Sequence, residues 1–321
     1  MKTFFYLFCV ALVSGCAFGQ AQLGPHPWAA TIKVVGDDGQ PMEGANVSVS
    51  YSLTLAESQN KGQDWDEIKG LTDNAGTFSA SHTDRSWNLG IDINKADYYR
   101  TYISYPLYVP GQLDTKTVAE NRNPTMTLVL KKIGKPTAMY VKSVNLGVPV
   151  FDKPIAFDLM IGDWLAPYGK GINTDIVFTA HNEKRSEFDW DYKLVVSFPN
   201  SGDGIQQFSV PDAEKGSALH SLHEAPTNNY QPQWVQTMAC RPHIGGYSGN
   251  RDENRNYYFR VRTKLDENGN VVSALYGKIY GDFMQFRYYL NPTPNSRNIE
   301  FDPKQNLFKA KKSRDSTNFA P

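Results

Sequence analysis

Cysteine is nearly missing from this chain. Of the three cysteines in 321 residues, Cys9 and Cys16 lie close to the start, so only Cys240 belongs to the body of the chain. A single cysteine closes no internal disulfide, and stability has to come from burial. Net charge is missing too, since 33 Lys plus Arg balance 33 Asp plus Glu. A neutral chain has no global attraction for DNA, RNA or anionic lipid, so nucleic acid is not an expected partner. Beyond the first twenty residues no apolar run is long enough to span a bilayer as a helix. No stretch of about a dozen residues repeats its apolar positions at the helical period, so helices should be few. Catalytic signatures are lacking as well. No GxSxG elbow occurs. The segment GDWLAPYGKG at 162–171 is not a phosphate loop. Six residues separate Gly162 from Gly169 where that loop has four, and Gly171 stands where Ser or Thr would hold magnesium.

Aromatic residues are abundant: 18 Tyr, 17 Phe and 6 Trp. They suit pleated sheets, and period-two alternation recurs along the chain. Residues 31–51 read as a strand, a tight turn and a second strand, an opening hairpin. Ile32 and Val34 alternate before Asp38-Gly39, and Ala45, Val47, Val49 and Tyr51 alternate after it. A polar stretch at 54–69 has no period and reads as a long loop or insertion. Trp87, Leu89, Ile91 and Ile93 then alternate, as do Ile103, Tyr105, Leu107 and Val109, and finally Met126, Leu128 and Leu130. About six short strands separated by turns describe a β-sandwich.

Three short motifs carry a resemblance: Gly39-Gln40-Pro41, Gly44-Ala45-Asn46-Val47, and Thr72-Asp73 followed by Gly76 and Phe78. Residues 29–133 resemble the carboxypeptidase regulatory-like domain, a prealbumin-like module with an immunoglobulin-type sandwich. The resemblance implies an accessory domain that is not itself catalytic. The long polar stretch after Tyr51 departs from the family pattern.

Gly134-Lys135-Pro136 breaks the alternation and marks a boundary. From there to residue 302 the chain is again β. Trp190, Tyr192, Leu194, Val196 and Phe198 alternate. Tyr257, Phe259, Val261, Thr263 and Leu265 form one face of a strand, with Tyr258, Arg260, Arg262 and Lys264 on a basic opposite face. The turn at 266–270 makes this the clearest hairpin in the chain. Large loops are expected at 162–171 and 202–233. The region, with its tail YYLNPTPNSRNIEFDP, resembles exported bacterial proteins of unassigned activity. Residues 303–321 are polar, mildly basic and expected to be loosely ordered.

Candidate sites are few. His220, His223, Cys240 and His243, with Glu224 nearby, have residue types that suit zinc. The competing reading, a polar loop with an incidental cysteine, is preferred, so no metal site and no cofactor are expected. Asp163, Glu183, Glu187, Asp189 and Asp191 are numerous, but a glycosidase needs two carboxylates facing each other across a substrate. A solvated hairpin end explains those near 183–191 more simply. Ser248-Gly249 reads as a turn. Trp164, Tyr168, Tyr230, Trp234 and Tyr247 fall in expected loops beside amides. Rings stack on sugar faces and amides bond hydroxyls, which makes these five the candidate ligand-binding residues, against the plainer reading that they cap the core.

The sequence therefore describes an all-β chain of two β-sandwich domains in tandem after a signal peptide at 1–19. The function expected is non-catalytic binding or scaffolding in the envelope or outside the cell, with polysaccharide or another envelope protein as partner. The alternative is a secreted polysaccharide hydrolase with its site in the second domain. Lys2 and the apolar run at 4–13 make the signal. Two processing sites compete. Cleavage after Ala17-Phe18-Gly19 would release a chain starting at Gln20. Val13-Ser14-Gly15-Cys16 resembles the lipobox of bacterial lipoproteins, which implies a lipid anchor at Cys16 as the only membrane contact. Ala17 follows Cys16 where Asp would favour inner-membrane retention in that family, so an outer-membrane, periplasmic or extracellular location is expected. The lipobox is favoured, and mass spectrometry of the mature N-terminus should find lipidated Cys16; an unmodified chain starting at Gln20 would exclude it.

Overall fold

The computed structural model describes residues 26–107, 121–242, 247–252, 254–308 and 319–321. The signal segment with Cys16, and also Val109 and His243, lie outside the described residues. Strands dominate the regular structure of the described chain, and they build two sandwiches.

The first sandwich holds β1 (His26–Gly36), β2 (Asn46–Ser52), β3 (Trp65–Leu71), β4 (Thr77–Asp84), β5 (Asn88–Asn94), β6 (Thr101–Pro106) and β7 (Thr125–Leu130). One sheet runs β4-β1-β7 and the facing sheet runs β3-β2-β5-β6. Alternation places Ile32, Val34, Val47, Val49, Leu89, Ile91, Ile93, Leu128 and Leu130 between them. Residues 31–51 are not a hairpin, because β1 pairs with β4 and β7 while β2 pairs with β3 and β5. Both flanking strands bury one face, so the chain crosses from one layer to the other instead of folding back on itself. Thr72 clips that crossing. Its hydroxyl donates to Met42 O at 2.6 Å and accepts from Ala45 N at 2.9 Å. Gly76 sits at φ 70°, and a Cβ there would lie 2.5 Å from Val34 O. These are the turn positions of the motifs quoted above, now with their physical roles.

The polar stretch at 54–69 is not a loop. Thr54 caps α1 (Leu55–Lys61) in a capping box with Glu57, and β3 follows. The helix is only seven residues long and buries none of them, so it shows no periodic apolar face.

The second sandwich holds β8 (Thr137–Asn145), β9 (Pro154–Asp158), β10 (Asp163–Trp164), β11 (Ile176–Ser186), β12 (Asp189–Ser197), β13 (Gly204–Phe208), β14 (Gln233–Cys240), β15 (Tyr247–Gly249), β16 (Asn256–Leu265), β17 (Val271–Tyr280), β18 (Gln285–Asn291) and β19 (Phe301–Asn306). One six-stranded sheet runs β10-β9-β11-β12-β14-β15 and the other runs β13-β16-β17-β18-β8-β19. Phe157, Phe178, Leu194, Val196, Tyr257, Phe259, Phe283 and Tyr288 fill the space between them. The β16–β17 hairpin forms as its sequence predicts, with Asp266 accepting from Asn268 N and Asn270 N at its turn.

The basic face expected on β16 is not simply solvated. Tyr258 joins Met139, Tyr276, Tyr289 and Phe301 in a further cluster on the outer side of that sheet. Arg262 leaves the alternation at a bulge, with φ 55°, and binds Asp175 at 2.8 and 2.9 Å and Asp158 at 3.1 Å. The tail is also more ordered than expected at both ends. Residues 304–306 belong to β19, and Tyr289 Oη donates to Ala320 O at 2.9 Å.

Where the two sandwiches meet, the contacts are polar and buried. Glu300 accepts from Tyr99 Oη at 2.9 Å, Gly134 N at 2.9 Å and Lys135 N at 2.8 Å. Lys131 is buried and reaches Glu214 Oε2 at 2.6 Å and Ser221 O at 3.0 Å. Tyr102 N donates to Gly216 O, and Ala218 N to Arg100 O, so the 209–232 segment docks on the edge of β6.

Lys278 is fully buried, donating to Ser221 Oγ at 3.1 Å between the rings of Tyr280 and Tyr289. Burial holds its amine well below the ordinary lysine value of 10.5, with Glu300 pulling the other way and Lys131 adding to the depression. Burial, Lys278 and Lys131 likewise depress His220 below 6.5. In both cases the unfolded chain binds a proton that the fold lacks, so stability rises with pH across each window. Chemical denaturation should show stability falling as pH drops below about 6.5. It should also show a rise with pH, ending near the ordinary lysine value of 10.5, that Lys278→Met abolishes. That variant should gain on the order of 1–4 kcal/mol at pH 7, as apolar replacement of buried ionisable groups does.

Candidate functional site

The five candidate rings do not form one strip. Trp164 packs edge-on against Phe157 at 5.3 Å and Phe178 at 5.6 Å, inside the main core. Trp234 packs on Tyr257 at 5.6 Å under the guanidinium of Arg255. Tyr230 lies under Arg260 and donates to Pro226 O at 2.8 Å. Trp164 and Trp234 thus pack on the core between the sheets, and Tyr230 packs on the cluster outside the β16 sheet. Tyr168 and Tyr247 are exposed, but they sit at opposite edges of one sheet, since β10 is its first strand and β15 its last.

Tyr247 stands on a built surface. Register aligns Lys184, Trp190, Cys240 and Tyr247 as one cross-strand row on β11, β12, β14 and β15. The next row inward is Tyr192, Met238 and Gly249, then Leu194 with Gln236, then Val196 with Trp234. Alternation puts all of these on the face that forms the core further in. The β17–β18 turn meets this face at the Gln236 row: Phe283 N donates to Gln236 Oε1 at 3.3 Å. Arg251 Nε donates to the buried carboxylate of Asp282 at 2.8 Å beside it. Past that row the core face emerges as an open groove of about 510 Å³, lined by Trp190, Met238, Tyr247, Ser248, Gly249 and Arg251. The Trp190 and Tyr247 rings are 5.7 Å apart and inclined at 42°. Tyr247 is 77% exposed.

Glu183, Asp189 and Asp191 of the same hairpin face away from the groove. Arg185 binds Glu183, Asp189 and Asp191, and Arg241 binds Asp191 and Asp189. Arg185 holds the Asp189 carboxyl below the usual range, and Arg241 with Arg185 does the same for Asp191. A carboxylate held ionised on a surface arginine is poorly placed to donate a proton. Asp163 accepts from Trp164 N and Lys170 N and shapes the 162–171 loop.

The zinc-type residues are held apart by other partners. His220 stacks near Tyr280, and His223 Nε2 lies 2.8 Å from Lys132 O and 3.5 Å from Glu300. Glu224 pairs with Arg297. Cys240 lies on β14, and His243 is outside the described residues. Among the described residues no group of three metal-ligating side chains converges.

Sequence reasoning found Tyr247 but not Trp190, Met238, Ser248, Gly249 or Arg251. Ser248-Gly249 read as a turn and is instead β15. A signal for Trp190 was present. The inward positions of β11 turn polar from Ala180 to Asn182 and Lys184, while the facing positions of β12 stay aromatic at Tyr192 and Trp190.

No family model matches the chain, and no curated protein does. Among solved structures, 3-chlorocatechol 1,2-dioxygenase from Rhodococcus opacus is similar over 35% of this chain and 62% of its own, at 13% identity and a TM-score of 0.26. The shaft pilin of Lactobacillus rhamnosus GG is 10% identical over 79% of this chain and 93% of its own, with a TM-score of 0.20. The full-length major pilin of Corynebacterium diphtheriae is 12% identical over 87% of this chain and 85% of its own, with a TM-score of 0.22. The chain spans less than two thirds of the length of the dioxygenase it matches. Likeness at this level assigns no activity, so the reading of function rests on the groove.

Core and groove rings should separate in a stability measurement. Trp234→Ala should cost about 3–5 kcal/mol, as truncation of a packed aromatic does. Tyr247→Ala should stay within about 0.5 kcal/mol. Urea unfolding of both variants checks the assignment; equal losses would remove the distinction between cap and platform.

Proposed function

We propose that this protein is an exported, non-catalytic binding or scaffolding protein of the cell envelope, and that its second sandwich holds a glycan polymer in the groove that Trp190 and Tyr247 line. One observation carries the reading: the exposed ring of Tyr247 stands beside the half-buried ring of Trp190 at the uncovered end of a sandwich core, next to polar groups. Apolar ring faces stack on the C–H faces of sugars, while amides, hydroxyls and guanidinium groups bond their hydroxyls. The first sandwich serves as an accessory module of the carboxypeptidase regulatory-like kind, and a lipid on Cys16 anchors the chain. The hydrolase alternative needs a carboxylate pair flanking the scissile bond. The residues lining the groove include no carboxylate, which favours binding without turnover.

A shallow, wet site supports modest affinity, on the order of −4 to −6 kcal/mol, or dissociation constants in the high micromolar range and above. Affinity electrophoresis against plant, algal and bacterial glycans should show retardation that Trp190→Ala and Tyr247→Ala reduce. Accumulation of reducing ends during incubation would replace this reading with the hydrolase.

A further inference from the structure

The four-stranded sheet of the first sandwich has two edges that end differently. At β6 the chain closes the edge itself, with Tyr102 N donating to Gly216 O and Ala218 N to Arg100 O. At the other edge, β3 pairs with β2 on one side and with no described strand on the other. The hydrogen bonds of the β2–β3 ladder show which groups face that open side. Thr72 N donates to Ala45 O at one end, and Leu53 N to Asp64 O at the other. Antiparallel pairs alternate between bonded and unbonded. Counted from either end, Gly70, Ile68 and Asp66 bond to β2. Trp65, Glu67, Lys69 and Leu71 therefore aim their N–H and C=O groups outward. Only Glu67 N is met there, by Asp66 Oδ1 at 2.9 Å.

The same four residues share one face of the sheet, because side chains also alternate with period two. Ile68 points the other way and packs on the core. Trp65 is 56% exposed and Leu71 61% exposed, one at each end of the strand. Between them Glu67 pairs with Lys69 and accepts from Ser48 Oγ at 2.5 Å. Read in either direction, the row is large apolar, charged, charged, large apolar, with the two charges opposite in sign.

We infer that this edge pairs with the same edge of a second copy of the chain, antiparallel about a two-fold axis at Ile68, so that two four-stranded sheets become one. With Ile68 opposite Ile68, Trp65 meets Leu71 of the second copy and Glu67 meets its Lys69, and symmetry repeats both contacts. Every outward residue then faces an outward residue, and their free N–H and C=O groups form bonded pairs. Glu67 N exchanges its bond to Asp66 for one across the new ladder. Opposite charges and aromatic–aliphatic pairs stabilise such a ladder, and like charges directly opposite destabilise it. Other registers fail on these terms. A two-residue shift sets Glu67 on Glu67 or Lys69 on Lys69. A one-residue shift sets outward backbone groups against groups already bonded to β2. Edge charges that keep β3 from pairing indiscriminately thus admit one partner in one register. The inference rests on the first sandwich alone and is independent of the groove.

Sedimentation velocity of the full mature chain over a range of concentrations tests it, and a monomer–dimer equilibrium is expected. Glu67→Lys and Lys69→Glu each set like charges opposite at both symmetric contacts. Each should weaken the dimer about tenfold, the equivalent of 1.4 kcal/mol. Both positions lie on the outer face, so thermal unfolding of each variant should match that of the parent chain. An equimolar mixture of the two variants sets opposite charges together again, and should recover the dimer that each alone has lost. A monomer at every concentration would overturn the proposal. So would a dimer that both variants leave intact, or one that the mixture fails to recover.

Discussion

The arrangement of the two sandwiches depends on one buried carboxylate. Glu300, just before the last strand, accepts from Tyr99 of the first sandwich and from the two linker amides of Gly134 and Lys135. A charge with almost no solvent contact is tolerated only when donors surround it. Here the donors come from two separate parts of the chain and the carboxylate from a third, so the linker, the first sandwich and the closing strand are fixed together. Lys131 adds a second buried charge at the same junction, held on Glu214 and Ser221 O. Breaking either set would leave an unpaired buried charge, which is why a junction with no cysteine near it can still hold a short linker in one geometry.

The groove follows from an inequality between the two sheets of the second sandwich. β11, β12, β14 and β15 continue past the β17–β18 turn that should cover them. The face that is core at Leu194 and Val196 becomes surface at Trp190 and Met238. Chain that bridges strands cannot leave its backbone groups unpaired, and Asn250 settles this at the groove edge by donating to Val235 O and accepting from Thr237 N. The result is a recess whose walls are rigid strand and whose lining was selected by the same alternation that builds the core.

Much of the fold was legible in sequence because alternation is a local property. Ile32, Val47, Leu89, Ile91, Leu194, Val196, Tyr257 and Phe259 were all placed inward by their spacing, and all are buried. The turns were legible for the same reason, since Gly76 and the 266–270 turn are specified by residues adjacent in sequence. Three elements were not. The seven-residue helix α1 buries no face and so leaves no period. The outer face of β16 reads as basic, yet Tyr258 is covered by distant segments. The opening strands read as a hairpin, because the sequence shows two strands and a turn but not which neighbours they take.

The same division runs through the site. Sequence alone determined that the chain is all-β, that the single cysteine of its body, Cys240, has no partner there, and that aromatic rings are available in excess. Composition and nearest-neighbour spacing suffice for these. Only the tertiary structure decided which rings are spent on the core and which remain free. Trp164, Tyr230 and Trp234 are packed, while Tyr247 stands open beside Trp190, a residue more than fifty positions away in the chain. Whether a strand's inward face is core or surface depends on how far the opposing sheet extends. That length is set by residues remote in sequence, and no local pattern records it.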